Sequence, residues 1–554
     1  MVFGQRGLIE IPPISAEGFP LRHIEIYVVE EDSTRLITGR EYEDFLSYFH
    51  LDNQDPFNKS VYDLKSKKIA ERPEVAKATY QVYNAHVSGP VTLRWFITLG
   101  EAEEKAEGFF RTGEWGDLPV LFENRQAKLT FILNGGLGVF LDQNAFFGQG
   151  EAFTQANPVA DQPASGGSTY WSEVFLEPGI GGITGLGNSD LYIYGALSGL
   201  FSARIGSDIF SEGSTIFVAF ERAYAGFIWA RLGKNKNAKL DVSAGRNFFQ
   251  LNDGFLFSRI SGSANAGDRG SVYLSSRTAF QKTVIATFTA KQWTVKGYFL
   301  EPQELFRDQQ TNINYAGLTV GFNNNRTIDA NLSLIQRTGG KGDYQLPKEQ
   351  TLEKKGLWIL NPKLDLINML KTGLFLKSEF ALQWKSGMRA HAWYLGAGIK
   401  KEEWLFKPSL YYRYAFLQGD DPETRIYERF DPLLTGGLGT WVQGLNFRKV
   451  IGNGNILSHR IELSGYVFDQ LRVSLDAFFL RSDQLNNLGG LPPISQLATR
   501  SLGQEYTITA QYSISKTFLL LGVFSTAYPG SGISEKLADS TSWQTYQLSL
   551  FLFI

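Results

Sequence analysis

The chain has no cysteine, three methionines and five histidines among its 554 residues. Without cysteine there are no disulfides and no thiolate metal sites. The histidines (His23, His50, His86, His391 and His459) are scattered and show no zinc spacing. No continuous apolar run approaches the roughly 18 residues that a membrane helix needs; "FLLLGVF" at 518–524 is typical of the longest patches. The opening "MVFGQRGLIEIPPIS" lacks a cationic start followed by an apolar core, so it does not read as a signal peptide. An exported chain of this sequence is expected to be already processed or trimmed, and residues 1–18 are assigned no structure. There is no G-x-S-x-G elbow for a nucleophilic serine. "GGLG" and "GIGGITGLG" are followed by no helix and so are not phosphate loops. No basic run interleaved with aromatics suggests nucleic acid. A Ser–His pair on one wall stays open, with His391 in "RAHAWYLG" the one to follow. The expectation is a chain that is not an enzyme and uses no cofactor and no metal.

What is abundant is glycine, 57 residues, and aromatic side chains, 14%. Apolar content is ordinary at 43%, which excludes a disordered chain. The formal charge of −2 hides an asymmetry: residues 1–127 carry 14 basic and 21 acidic side chains, a net of −7, which leaves +5 for the remainder. A boundary near residue 125 follows.

From about residue 128 to the end, period-two alternation in segments of about ten residues dominates, the periodicity of strands. In "SHRIELSGYVF", Ile461, Leu463 and Val467 share one face, while Arg460, Glu462, Ser464 and Tyr466 share the other. "LRVSLDAFFL" sets Leu471, Val473, Leu475 and Phe479 against Arg472, Ser474 and Asp476. "FKPSLYYRYAF" sets Phe406, Leu410, Tyr412, Tyr414 and Phe416 against Lys407, Ser409, Tyr411 and Arg413. About eighteen such segments are joined by turns such as "GFNNNRTID". A sandwich or propeller could bury the apolar faces, but so many strands exceed a sandwich and no blade-length repeat is present. A membrane barrel places the apolar face against lipid and the polar face toward a lumen. Aromatics near segment ends resemble interface girdles. The chain stops on the strand "TYQLSLFLFI", whose Tyr546, Leu548, Leu550, Leu552 and Ile554 share a face; it resembles the terminal signal that barrel-assembly machinery reads in outer-membrane proteins, with Ile554 where that signal usually has Phe. The fold class expected is mostly β: a transmembrane antiparallel barrel over 128–554, after a linker at 102–127.

Residues 19–101 read differently. "HIEIYVV" is a strand, "GREYEDFLSYFHL" (39–51) and "SVYDLKSKKIAERPEV" (60–75) are helices, and "KATYQVYNA" and "PVTLRWFITLGE" are strands joined by "HVSGP". That order resembles a POTRA domain. The resemblance implies a periplasmic module that binds passing chains or secretion-complex proteins by edge-strand pairing.

"ERFDPLLTGGLGTWVQGLNF", "LGQEYTITAQYSISKTFLLLGVFSTAYPGSG" and "GRNFFQLNDGFLFSR" resemble the alginate export porin family, over roughly residues 190–554 and most clearly after 410. The resemblance implies an eighteen-stranded outer-membrane conduit for an anionic exopolysaccharide. A POTRA-like start departs from that family's plan and belongs with protein-secretion or barrel-assembly translocators. Their Val-Arg-Gly-Tyr/Phe motif does not occur here. In nine clearly alternating segments the polar face carries nine cations (Arg204, Lys239, Lys296, Lys377, Lys385, Lys407, Arg413, Arg460, Arg472) against five acids (Asp241, Glu379, Glu462, Asp476, Glu505). Such a bias attracts anionic polymers, or else the charges pair across strands. The substrate pathway is accordingly placed on Arg204, Lys296, Lys377, Lys385, Lys407, Arg413, Arg460 and Arg472. Protein translocation is the alternative, and general diffusion the second.

One stretch, "LQGDDPETRIYERFDPLLTGG" (417–437), puts seven charges into positions 420–431. It lacks the ligand spacing and central glycine of a calcium loop. Two readings remain: a plain surface loop, or one in which Arg425, Glu428, Arg429 and Asp431 fold inward to gate the lumen through salt bridges. Long connections at 144–170, 262–276, 338–354 and 482–504 are further lids or external variation.

Overall fold

The computed structural model describes residues 9–553 except 12, 17–18, 20, 31–32, 40–41, 43–44, 47–56, 71–74, 85–90, 100–107, 112–119, 125, 151–166, 188, 234–236, 259–268, 304–310, 325–326, 347–349, 371, 402–403, 436–440, 491–493, 516 and 538. Alternation becomes a closed antiparallel barrel of 18 strands. It runs from β8 (Ala127–Gln143), by the numbering in which β1–β7 precede it, to the last strand, Trp543–Phe553. Closure is direct: Gln544–Phe553 pairs antiparallel with Asn134–Gln143, so neither end strand is left as an open edge. The barrel strands are 9 to 18 residues long, enough to cross a hydrocarbon layer at the usual tilt. Among the described residues no helix is long and apolar enough to cross a membrane, a statement that does not bear on strands.

The alternating faces point where the sequence places them. Ile461, Leu463, Leu475 and Leu410 are 42–48% exposed, whereas Arg413, Glu462 and Arg472 are 2–6% exposed. Charge inside and aliphatic groups outside reverse the order of a soluble protein, as a hydrocarbon surround requires. One segment is shorter than expected. The strand begins at Ser409, because Phe406 and Lys407 take positive φ (62° and 45°) in the turn before it.

The two barrel ends differ. One carries short turns, such as 291–292, 324–327 and 469–470; the other carries 144–167, 248–279, 418–455 and 482–500, with 386–387 its one two-residue turn. The chain enters at the short-turn end. Part of the expected linker extends the barrel sheet there: β6 (Gly108–Arg111) pairs with β7 (Val120–Glu123), and β7 with the start of β8.

The N-terminal part is a small α+β unit with its own core. Its sheet runs β1 (Ile9–Ile11), β4 (Val75–Asn84), β5 (Val91–Leu99), β2 (Leu21–Glu30), β3 (Ser33–Leu36), with β2 and β5 parallel and the other pairs antiparallel. Helix α1 (Lys59–Ala70) packs across it, burying Tyr62, Ile69 and Ala70 with Trp95, Ile26 and Val82. β1, and the short 3-10 turn Pro13–Ala16 that follows it, fall in the stretch that was assigned no structure. β3 adds a second strand beyond the expected three. Of the expected helix over 39–51, Tyr42, Phe45 and Leu46 are described and helical; the hairpin turn at 86–90 lies outside the described residues.

Candidate functional site

The candidate site is the barrel lumen, and two chain segments obstruct its long-loop half. The described parts of connections 248–279 and 418–455 turn inward and meet. Phe255 packs edge-on against Trp441, with centroids 4.7 Å apart, and against Tyr394 of the wall at 5.5 Å. Leu434 N–H donates to Leu256 O at 3.3 Å, and Thr435 Oγ1 to Gly254 O at 3.0 Å. Phe257 reaches Tyr315 of the wall at 5.1 Å. The contacts join one aromatic core that also holds Phe146, Phe147, Phe447 and Trp543.

Wall carboxylates hold these connections by their backbones. Glu505 accepts from the N–H groups of Leu445, Asn446 and Phe447. Glu173 does the same for Val272, Tyr273 and Leu274, and Glu221 for Thr278 and Ala279. A chain turned into a water-poor interior has N–H groups that need acceptors, and these carboxyl oxygens supply them. Gly444 permits the approach: its φ is +86°, and a Cβ there would collide with the Glu505 carboxylate. Lys449 adds an ion pair to Asp142 of β8 at 3.2 Å. The sequence reading had counted Glu505 only as a lumen acid and had not singled out Glu173, Glu221 or Asp142. Their signal was an acid on a polar strand face near the long-loop end.

Of the four residues proposed to gate the lumen, two are turned in. Arg429 is buried and donates to Asn487 Oδ1 (3.0 Å) and Gly454 O (3.1 Å). Asp431 is buried, accepts from Tyr344 OH at 2.8 Å, and lies 3.6 Å from Lys354 Nζ. Its backbone is clamped by Gln383 of the wall in both directions, at 2.6 and 2.8 Å. Glu428 accepts from Thr424 Oγ1 at 3.1 Å, and its N–H donates to Asp420. Arg425 is exposed. Inward folding therefore rests on hydrogen bonds to neutral groups more than on the expected salt bridges. Asp420 is a turn-forming acceptor, taking the Glu428 N–H and Asn486 Nδ2.

The pathway cations are spread over the whole wall. Arg204 pairs with Asp208 at 2.8 Å near the long-loop rim. Lys377 pairs with Asp253 of the first inward connection at 2.8 Å. Arg460 bridges Glu462 (2.9 Å) and Asp476 (2.7 Å), and Arg472 shares Glu462 at 3.1 Å. Lys385 donates to the carbonyls of Glu353 and Lys355. Lys407 sits in a short turn, off the wall, and pairs with Asp469 at 2.6 Å. Lys296 lies mid-wall opposite Thr287 and Thr319. Arg413 stands apart: it is 2% exposed, its guanidinium stacks 4.0 Å from the Trp441 ring, and its partners are Val442 O and Gln443. Lys363, not among the pathway residues, gathers Asp329 (2.8 Å) and Asp365 (3.3 Å). His391 stacks on Phe416 at 5.3 Å and Phe380 at 6.2 Å on the apolar outer face, and so does not line the lumen.

At the short-turn end, α1 of the N-terminal unit meets lumen-facing wall residues. Val61 and Leu64 are buried with Ile183, Tyr192, Tyr194, Tyr224 and Ile228. Asp63 lies between Lys59 (2.9 Å), Lys128 of β8 (3.6 Å) and the Tyr80 hydroxyl (2.6 Å). Burial pushes its carboxyl up, but Lys128 and Lys59 outweigh that and bring it down to about 2.

No family model matches the sequence. No curated protein matches it. Among solved structures the chain is similar to OccK5 (OpdH) of Pseudomonas aeruginosa, at 11% identity, covering 76% of this chain and 98% of that one, with a TM-score of 0.43. It is similar to a BenF-like porin from Pseudomonas fluorescens Pf-5, at 11% identity over 77% and 98%, TM-score 0.44. OmpF of Salmonella typhi aligns at 11% identity over 77% and 98%, TM-score 0.38.

Proposed function

We propose that the chain is a gated outer-membrane channel for hydrophilic solutes, with its N-terminal unit in the periplasm. The observation that carries this is a closed barrel with an aliphatic exterior and a charged interior, obstructed by two connections that are hydrogen-bonded to the wall and not continuous with it. Short turns at the chain-entry end and long connections at the other match the usual periplasmic and external ends of such barrels. The run of α1, β4 and β5 after β2, although β3 intervenes, supports a POTRA-like role for the N-terminal unit toward periplasmic partners.

The wall charges favour a porin-type cargo of small polar solutes. Arg460, Arg472, Lys377 and Arg204 each face a carboxylate, so the wall offers both signs in place of an unbroken cationic track. Export of an anionic exopolysaccharide is the second reading, and Arg413 favours it. Withdrawal of connection 418–455 would remove Trp441 from that guanidinium and bare a cation to the lumen.

The test is single-channel conductance in planar bilayers. The wild-type protein is expected to conduct little and Glu505→Ala to conduct more. Polyuronate block of Glu505→Ala, lost on adding Arg413→Ala, would favour the polymer. A channel closed to solutes but opened by a secreted peptide segment would favour a translocator. A folded Glu505→Ala barrel with no conductance even when Val61→Asp and Leu64→Asp free α1 from the wall would overturn the channel reading.

A further inference from the structure

The wall residues that α1 touches all lie inside the barrel. Ile183, Tyr192, Tyr194, Tyr224 and Ile228 alternate with lipid-facing neighbours such as Ile180, Ile193 and Phe227, which are 37–44% exposed. They come from three consecutive strands, Ser168–Gly185, Leu191–Ile205 and Thr215–Leu232, at their short-turn ends. A helix that buries side chains against them has entered the mouth, and the helix alone is about 10 Å across. The contact is mixed in chemistry. Val61 and Leu64 supply the apolar part, Asn58 Nδ2 donates to Tyr224 OH at 3.3 Å, and the Lys68 ammonium lies 4.2 Å from the Tyr192 ring centroid. Asp63 reaches Lys128 of a fourth strand, β8. The α1 residues used here differ from Tyr62, Ile69 and Ala70, which bind the helix to its own sheet. The helix thus carries one face for its own fold and another for the barrel.

We propose that the N-terminal unit is an intramolecular plug, docked through α1 on the lumen wall at the short-turn mouth, and that cargo passes when it undocks. This rests on the channel reading. It gives the molecule two closures in series: inward connections at one end and a folded unit at the other. A partner of the N-terminal unit then opens the mouth by competing for the Val61–Leu64 face.

The chain has no cysteine, so a single introduced thiol reports on docking without background. Ile183→Cys lies under α1, and its labelling by a bulky water-soluble maleimide is expected to be slow in otherwise wild-type protein. Val61→Asp with Leu64→Asp places two carboxylates in the buried contact and should speed labelling at least roughly tenfold. Tyr224→Ala, on the barrel side, should do the same with the N-terminal unit unaltered, so unfolding of that unit does not explain both results. Conductance is read in parallel, with Glu505→Ala present so that the inward connections do not mask the mouth. Lys68→Cys with Tyr192→Cys, joined by a reducible linker, should silence that channel until the linker is cut. Fast labelling of Ile183→Cys without any docking substitution would overturn the docking. Equal conductance with the linker intact and cut would overturn the plug while the channel reading stands. No conductance in any Glu505→Ala protein would overturn the channel reading and the plug's role with it, whereas labelling would still report whether α1 docks.

Discussion

The N-terminal unit and the barrel obey opposite rules with the same strand grammar. In β5, Val91, Leu93, Trp95 and Ile97 are buried beneath α1, and the ion pair of the sheet, Arg94 with Glu25 at 2.6 Å, lies on the other face. In the barrel strand Ile456–Phe468, Ile461, Leu463 and Val467 are the exposed residues, and Arg460 and Glu462 are turned inside. The unit buries apolar area to leave water. The barrel has no such gain on its outer face, and instead joins its two end strands by closure and pairs many of its wall charges. A period of two therefore says which residues share a face and leaves open which face is inside.

The sharpest way to break this comparison is to substitute the centre of each part. Trp95→Ala removes a fully buried ring from the only helix-covered sheet among the described residues and should cost about 3–5 kcal/mol. Limited proteolysis should then strip the N-terminal unit while the barrel keeps its heat-dependent gel mobility. Loss of both together would mean that the two parts do not have separate cores. Leu463→Arg, on the outer face near the middle of its strand, should cost about 2–4 kcal/mol. Urea titration of folding into lipid vesicles measures it, and a value near zero would deny that this face meets lipid.

An effect confined to one connection belongs to the wall carboxylates. Glu505→Ala leaves the N–H groups of Leu445, Asn446 and Phe447 without their acceptor, at about 1–3 kcal/mol for each buried group left unpaired. Hydrogen exchange over residues 441–450 should rise together with conductance, and exchange that stays at the wild-type rate would show the connection held elsewhere. The smallest effect concerns pH. Asp63 is brought down to about 2 in the folded chain, below the ordinary aspartate value of about 4. Its stabilising contribution is therefore complete above about pH 4 and is lost as pH falls through about 2. Pepsin cleavage of α1 should stay slow at pH 4 and accelerate toward pH 2, and Asp63→Asn should flatten that dependence. Acceleration already between pH 6 and 4 would mean that other groups control the helix.

Much of this is legible in the sequence. Alternation in "SHRIELSGYVF" and "LRVSLDAFFL" sorted the residues correctly onto two faces, because side chains on a strand have no choice but to alternate. The change of pattern at about residue 128 marks where sustained alternation begins, although β6 and β7 extend the barrel sheet before it. Eighteen strands follow from counting segments, since each crossing is its own stretch of alternation. The inward connection was legible in part. The charge cluster at 420–431 was recognisable as unusual, but Arg429 and Asp431 turned inward while Arg425 stayed exposed, a split that no local rule separates.

Pairing was not legible. Arg460 with Asp476, Lys377 with Asp253 and Lys449 with Asp142 join residues 16, 124 and 307 positions apart. A count of cations on polar faces therefore overstated how many stand without a carboxylate. The docking of Val61 and Leu64 on the lumen wall was equally out of reach, because an amphipathic helix shows that it has a second face and not what covers it. By itself the sequence determined the strands, their faces and the division of the chain, all local consequences of side-chain period and turn residues. The closure of the barrel, the partners of its charges and the two obstructions in its lumen were decided by tertiary structure alone, because each depends on which distant groups share a water-poor interior.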